Sequence, residues 1–87
     1  MSEMQERIQE MLEDLKRERD ELRVKISLAK LEASSEWREV ERKIDKLEAK
    51  AREVGGATVE ASKDVGAAAR LLGEEIRKGL RSVAKRF

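Results

Sequence analysis

Apolar side chains recur along the first half of the chain in steps of three and four. They run Met1, Met4, Ile8, Leu12, Leu15, then Leu22, Ile26, Ala29, Ala33, Trp37, Val40, Ile44, Leu47, Ala51 and Val54. That rhythm places them on one face of an α-helix. The positions between are mostly charged, and Glu13–Arg17, Glu21–Lys25, Glu39–Lys43 and Glu48–Arg52 are acid-to-base pairs four apart that support an exposed face. Ser2 with Gln5 forms a capping-box pattern, and Glu3 suits the positive end of the helix dipole. The spacing predicts one continuous helix over residues 3–54, roughly 80 Å long. Two irregularities interrupt it. Between Leu15 and Leu22 the seam falls on Glu18 or Arg19, either a polar residue that fixes register or a solvated stretch. The two successive steps of four through Ala29, Ala33 and Trp37 form a stutter, which locally unwinds a supercoil.

The second half has a different character. Ala61, Val65, Ala69, Leu72, Ile76, Leu80, Val83 and Phe87 follow an eleven-residue repeat of ~3.67 residues per turn, which favours straight packing. A helix over 58–86 is expected. Its alanines, with Gly66, Gly73 and Gly79, make it thin enough for a neighbour to approach closely, at a loss of intrinsic helix propensity.

Between these patterns stands Gly55-Gly56. Glycine just past a periodic segment is a common helix stop, because it takes the left-handed conformation without a Cβ clash. Thr58 or Gly56 then caps the second helix. Running straight through costs only ~2 kcal/mol, and Ala51, Val54, Thr58 and Ala61 keep the three-four rhythm, so a continuous rod is the alternative. Folding back sets Leu47 beside Val65, Val40 beside Leu72, Trp37 beside Gly73, and Ala33 beside Gly79 or Leu80. Large then opposes small, as close packing requires. The expected architecture is therefore all-α: a long helix in 1–54, a turn at 55–57, and a shorter helix in 58–87, forming one antiparallel coiled-coil hairpin. In that arrangement residues 1–24 overhang with their apolar stripe bare, which predicts a homo-oligomer, with an antiparallel dimer favoured and higher oligomers open. Its seam is Met4, Ile8, Leu12, Leu15, Leu22, Ile26, Trp37, Val40, Ile44 and Leu47.

Composition narrows the chemistry. Charged residues make up 45% of the 87 residues and aromatics 2%, so a normal globular core is out of reach and narrow helical stripes must serve instead. Without histidine or cysteine, the commonest general base, the thiol nucleophile and the best zinc ligands are missing. No glycine-rich phosphate loop is present, and the serines lie in helical or capping contexts without a base beside them. Catalysis, a bound metal and a cofactor are not expected. A cysteine-free chain suits a reducing cytoplasm. The first residues lack the basic start and apolar core of a secretory signal, and no run approaches the ~18 apolar residues of a membrane span. Net charge is +1, but residues 1–20 hold seven acids against four bases, and residues 70–87 hold six bases against two acids.

The stretch RLLGEEIRKGLRSVAKRF, residues 70–87, carries the sharpest functional signal. Leu72, Ile76, Leu80, Val83 and Phe87 fall within ~80° of the helix circumference. Arg70, Arg77, Lys78, Arg81, Lys85 and Arg86 supply bases elsewhere around it. Such a helix either lies on an anionic membrane surface or packs its apolar arc on a core and leaves the bases solvated. Nucleic acid is a poorer match, since Trp37 and Phe87 make no stacking platform. Trp37 on a helical stripe reads as a packing anchor rather than a ligand pocket. The functional expectation is a structural or scaffolding protein acting through helix–helix association. The alternative is anionic membrane-surface or lipid binding by residues 70–87.

The segment ERDELRVKISLAKLEASSEWREVERKIDKLEAKAREVG, followed by ASKDVGAAARLLGEEIRKGL, resembles small bacterial coiled-coil proteins of unassigned function. The second segment also resembles the eleven-residue amphipathic repeats of desiccation-protective and lipid-binding proteins. These resemblances imply helical association or surface binding, and assign a role to no individual residue.

Overall fold

The first helix does not reach residue 54. In the computed structural model, which describes residues 3–32, 34–56 and 59–86, it ends at Leu28, and the chain forms three helices: α1 (Glu3–Leu28), α2 (Ser35–Gly56) and α3 (Val59–Ala84). No strand occurs among the described residues. The all-helical class is as expected, but the single helix over 3–54 is replaced by two.

Hydrogen bonding explains the break. The N–H of Leu31 donates to the carbonyl of Ile26 at 2.9 Å, and the N–H of Lys30 to that of Ser27 at 3.1 Å. Lys30 has φ 58°. This is a Schellman closure, in which one left-handed residue lets two otherwise orphaned carbonyls find donors. Leu31 packs against the core beside the exit, the apolar contact that accompanies the motif. Three residues on, Ser34 caps α2: its Oγ accepts from the N–H of Trp37 at 3.3 Å. The stutter through Ala29 and Trp37 marks the place, although Ala33 itself lies outside the described residues.

The glycine pair acts differently from expectation. Gly55 and Gly56 are the last two residues of α2, and neither has a positive φ. The left-handed residue found among the described residues is Lys30, at the end of α1. Residues 57 and 58, including the expected cap Thr58, lie outside the described residues, as do Met1, the expected cap Ser2, and Phe87.

Bending at Lys30 returns α1 along α2. Lys16 forms an ion pair with Glu48, and Arg23 with Glu41 at 3.3 Å, so late α1 meets early α2. Of residues 1–24, expected to overhang, the apolar stripe among the described ones is covered by its own chain: Ile8, Leu12, Leu15 and Leu22 are buried with Ile26. From α2, Trp37, Val40, Ile44, Leu47, Ala51 and Val54 join them, and α3 adds Ala69, Ile76, Leu80 and Val83. Met4 is half-buried at the edge of this core. The molecule measures 44 × 18 × 17 Å, about half the length of the helix expected for residues 3–54 alone.

The facing of α2 and α3 also differs from the expected register. Val40 lies against Gly79 rather than Leu72, Lys43 reaches Glu75 at 3.4 Å, and Glu36 accepts from Arg86 at 3.0 Å. Gly79 therefore meets a residue seven positions further along than the Ala33 expected for it. Gly73, expected beside Trp37, packs instead against Met11 of α1. The original pairing assumed only two helices, so it assigned to residues 26–47 the small residues that α1 in fact fills.

Two substitutions test the bend. Left-handed backbone costs a residue with a Cβ about 1–2 kcal/mol. Lys30→Gly is therefore expected to raise stability by about 1 kcal/mol, read as a rise of roughly 4–8 °C in Tm by circular dichroism. Ser34→Ala is expected to lower stability by about 1 kcal/mol in the same assay.

Candidate functional site

α1 and α3 run side by side in the same direction, and the character of their seam changes along its length. At the start, Gly66 faces Met4 and Gly73 faces Met11. Each glycine is buried, and a Cβ on either would collide with the methionine sulfur. The missing side chains are what let α1 approach. One heptad beyond Met11 the α1 position is Glu18, the seam irregularity visible in the sequence. A carboxylate is not buried there for want of a partner, and α1 stands away from α3. Arg19, its neighbour, keeps a side chain only 18% exposed and pairs with Asp20 at 3.0 Å.

The gap is a groove of about 710 Å³. Leu22, Leu80 and Ala84 supply its apolar surface. Asp14, Glu18 and Glu21 stand on the α1 wall with Arg17 and Lys25, while Arg77 and Arg81 stand on the α3 wall. Arg17 pairs with Asp14 on its own wall at 3.6 Å, and no ion pair bridges the groove among the described residues. On the outer side of α1, four residues apart, Val24 is 62% and Leu28 81% exposed. Leu71 on α3, 63% exposed, is the remaining large apolar side chain that faces solvent among the described residues.

The basic residues singled out in the sequence do not act as one patch. Arg77 and Arg81 enter the groove. Arg70 lies beside Met4, Arg7 and Met11 lower on the same seam. Lys78 and Lys85 are exposed, and Arg86 is held by Glu36. The apolar arc of the same helix faces inward, with Ile76, Leu80 and Val83 buried and Leu72 half-buried. Trp37 is 2% exposed within the core. At the far end, Gly55 abuts Gln5 of α1.

Of the four expected pairs within a helix, Glu48–Arg52 forms at 3.6 Å. Arg17 turns to Asp14, Glu39 takes Arg42 at 3.2 Å, and Lys43 crosses to α3. Glu48 has a distinct electrostatic setting. The hydrogen bond from Lys16 holds its pKa below the ordinary glutamate value, against desolvation, with Lys16, Arg52 and Arg19 adding favourable charge.

Among the described residues no group of three or more acidic or metal-ligating side chains could hold a metal ion, and no helix is long and apolar enough to cross a membrane. Sequence reasoning named the groove's Leu22, Arg77 and Arg81, but not Val24, Leu28 or Met11. The signal for Val24 and Leu28 was available: two large apolar residues four apart, off the seam, on a helix otherwise charged on that side. Comparison with known protein families, characterised proteins and solved structures finds no match.

Restoring a large side chain at the tight end of the seam is expected to lever α1 away. Gly73→Leu should destabilise the fold by about 1–3 kcal/mol in urea unfolding, and Met11→Ala on that background should recover part of the loss. Glu48 yields a pH prediction. A carboxylate with a depressed folded-state pKa contributes stability above its unfolded pKa and loses it as pH falls through the folded value. Thermal unfolding on the acid side should therefore show a shallower loss for Glu48→Gln than for the wild-type chain.

Proposed function

We propose that this chain is a structural module that self-associates through helix–helix contact, and that the α1–α3 groove is where a neighbouring copy is received. The antiparallel coiled-coil hairpin belongs to the same proposal: α2 and α3 form it, and α1 lies along it as a third strand of the bundle. The observation that supports the reading is the groove itself. It combines an apolar floor of Leu22, Leu80 and Ala84 with a basic α3 wall facing an α1 wall of three acids and two bases, and Val24 and Leu28 lie bare on α1. A helix presenting both signs of charge beside an apolar ridge suits such walls, and α1 of a second copy has that character along Arg17, Glu21, Val24 and Leu28. Membrane-surface binding by residues 70–87 draws less support, because an interfacial helix needs its apolar arc free, and Ile76, Leu80 and Val83 are turned into the core.

Sedimentation equilibrium over a wide concentration range tests this. Association is expected to weaken about tenfold or more in Leu28→Glu and in the Arg77→Glu/Arg81→Glu double variant, corresponding to at least about 1.4 kcal/mol. Helicity should be unchanged, since all three residues are exposed. A concentration-independent monomer, or association indifferent to these changes, overturns the proposal.

A further inference from the structure

The connection between α1 and α2 is built from residues that favour helix. Residues 28–35 read LAKLEASS, with neither proline nor glycine. Leu, Ala, Lys and Glu are strong helix formers. Within the connection, the left-handed Lys30 and the Ser34 cap favour the bent form locally, and a glycine would serve a permanent bend better than a lysine.

The apolar faces carry a second sign. Two helices that always fold back on each other have no need to keep their stripes in phase along the chain. Placed on one uninterrupted helix at 100° per residue, the buried side chains of α1 and those of α2 point within about 25° of each other. The straight form of residues 3–56 thus presents one unbroken stripe. In that form α1 projects beyond the bundle by about 40 Å, close to the 44 Å length of the folded molecule. It leaves uncovered the strip of α2 and α3 against which it lay: the small residues Gly66 and Gly73, and the acids Glu48 and Glu41.

We propose that this strip is a binding site for α1 of a second copy, reached when residues 29–34 straighten and two chains exchange their first helices. This rests on the self-association reading above, and replaces docking of closed bundles by exchange. Every contact of α1 is kept, with Met4 and Met11 against the partner's glycines, and Lys16 and Arg23 against the partner's acids. The two states then differ chiefly at the hinges and in the entropy of association, which is why short strained connections invite such exchange.

Two hinge variants push in opposite directions. Ser34→Ala removes the cap and improves the straight helix, so after refolding at high concentration the dimerisation constant should rise roughly thirtyfold, or about 2 kcal/mol over two hinges. Lys30→Gly favours the bend and weakens the straight helix, and the constant should fall roughly a hundredfold. Spin labels at the exposed positions 13 and 52 of one chain, diluted with unlabelled chains, report the geometry. The distance should be near the 18 Å width of the bundle in the closed monomer and roughly 58 Å in the exchanged dimer. Dimers that keep the short distance overturn exchange while leaving groove docking standing. Dimers with the long distance, whose population follows the two hinge variants, support exchange. A chain monomeric in every variant overturns both readings.

Discussion

One constraint governs this molecule: each helix has a single apolar stripe, and the chain is too short and too charged to hide any of them except against the others. For α1 the stripe is Ile8, Leu12, Leu15, Leu22 and Ile26, all buried. At about 1.5–3 kcal/mol per large side chain removed from water, its burial outweighs the 1–2 kcal/mol of left-handed backbone at Lys30 several times over. The bend is therefore made by a residue poorly suited to it. Local preference points one way along LAKLEASS, tertiary burial points the other, and burial decides.

Charge sets alignment more than stability. The ion pairs Lys16–Glu48, Arg23–Glu41 and Lys43–Glu75 link different helices, yet their side chains remain partly exposed, and pairs of that kind contribute at most about 1 kcal/mol each. A shift of one heptad between α1 and α2 would re-pair Arg23 with Glu48 or Lys16 with Glu41 but leave the other base and acid unmatched, so the pairs favour this register by one contact.

Much of this was legible in the sequence. The seam residues from Ile8 to Leu47 were read as apolar and helical, and they form the core. Glu18 was read as an interruption, and it stands where the groove opens. The stutter at Ala29–Trp37 was noticed but taken for a change in winding, because no glycine or proline stood there to stop a helix. Gly55-Gly56 draws a turn on propensity, and α2 ends at Gly56 with α3 beginning at Val59. What local pattern could not supply was the source of cover for residues 1–24, because the contacts that provide it are a property of the whole chain. The expected register of α3 fails for the same reason: it sets Gly73 beside Trp37 and Ala33 beside Gly79 or Leu80, while Met4 and Met11, two methionines of α1, lie against Gly66 and Gly73, and Val40 lies against Gly79. Val24 and Leu28 were passed over because they lie off the stripe.

Those two methionines close the lower seam with flexible, polarisable thioethers, and nothing else in the contact is as open to covalent change. Peroxide would convert either sulfur to a sulfoxide, placing a polar oxygen in an apolar contact beside a glycine. A protein without a single thiol thus keeps two of its three methionine sulfurs in the contact between its first and third helices.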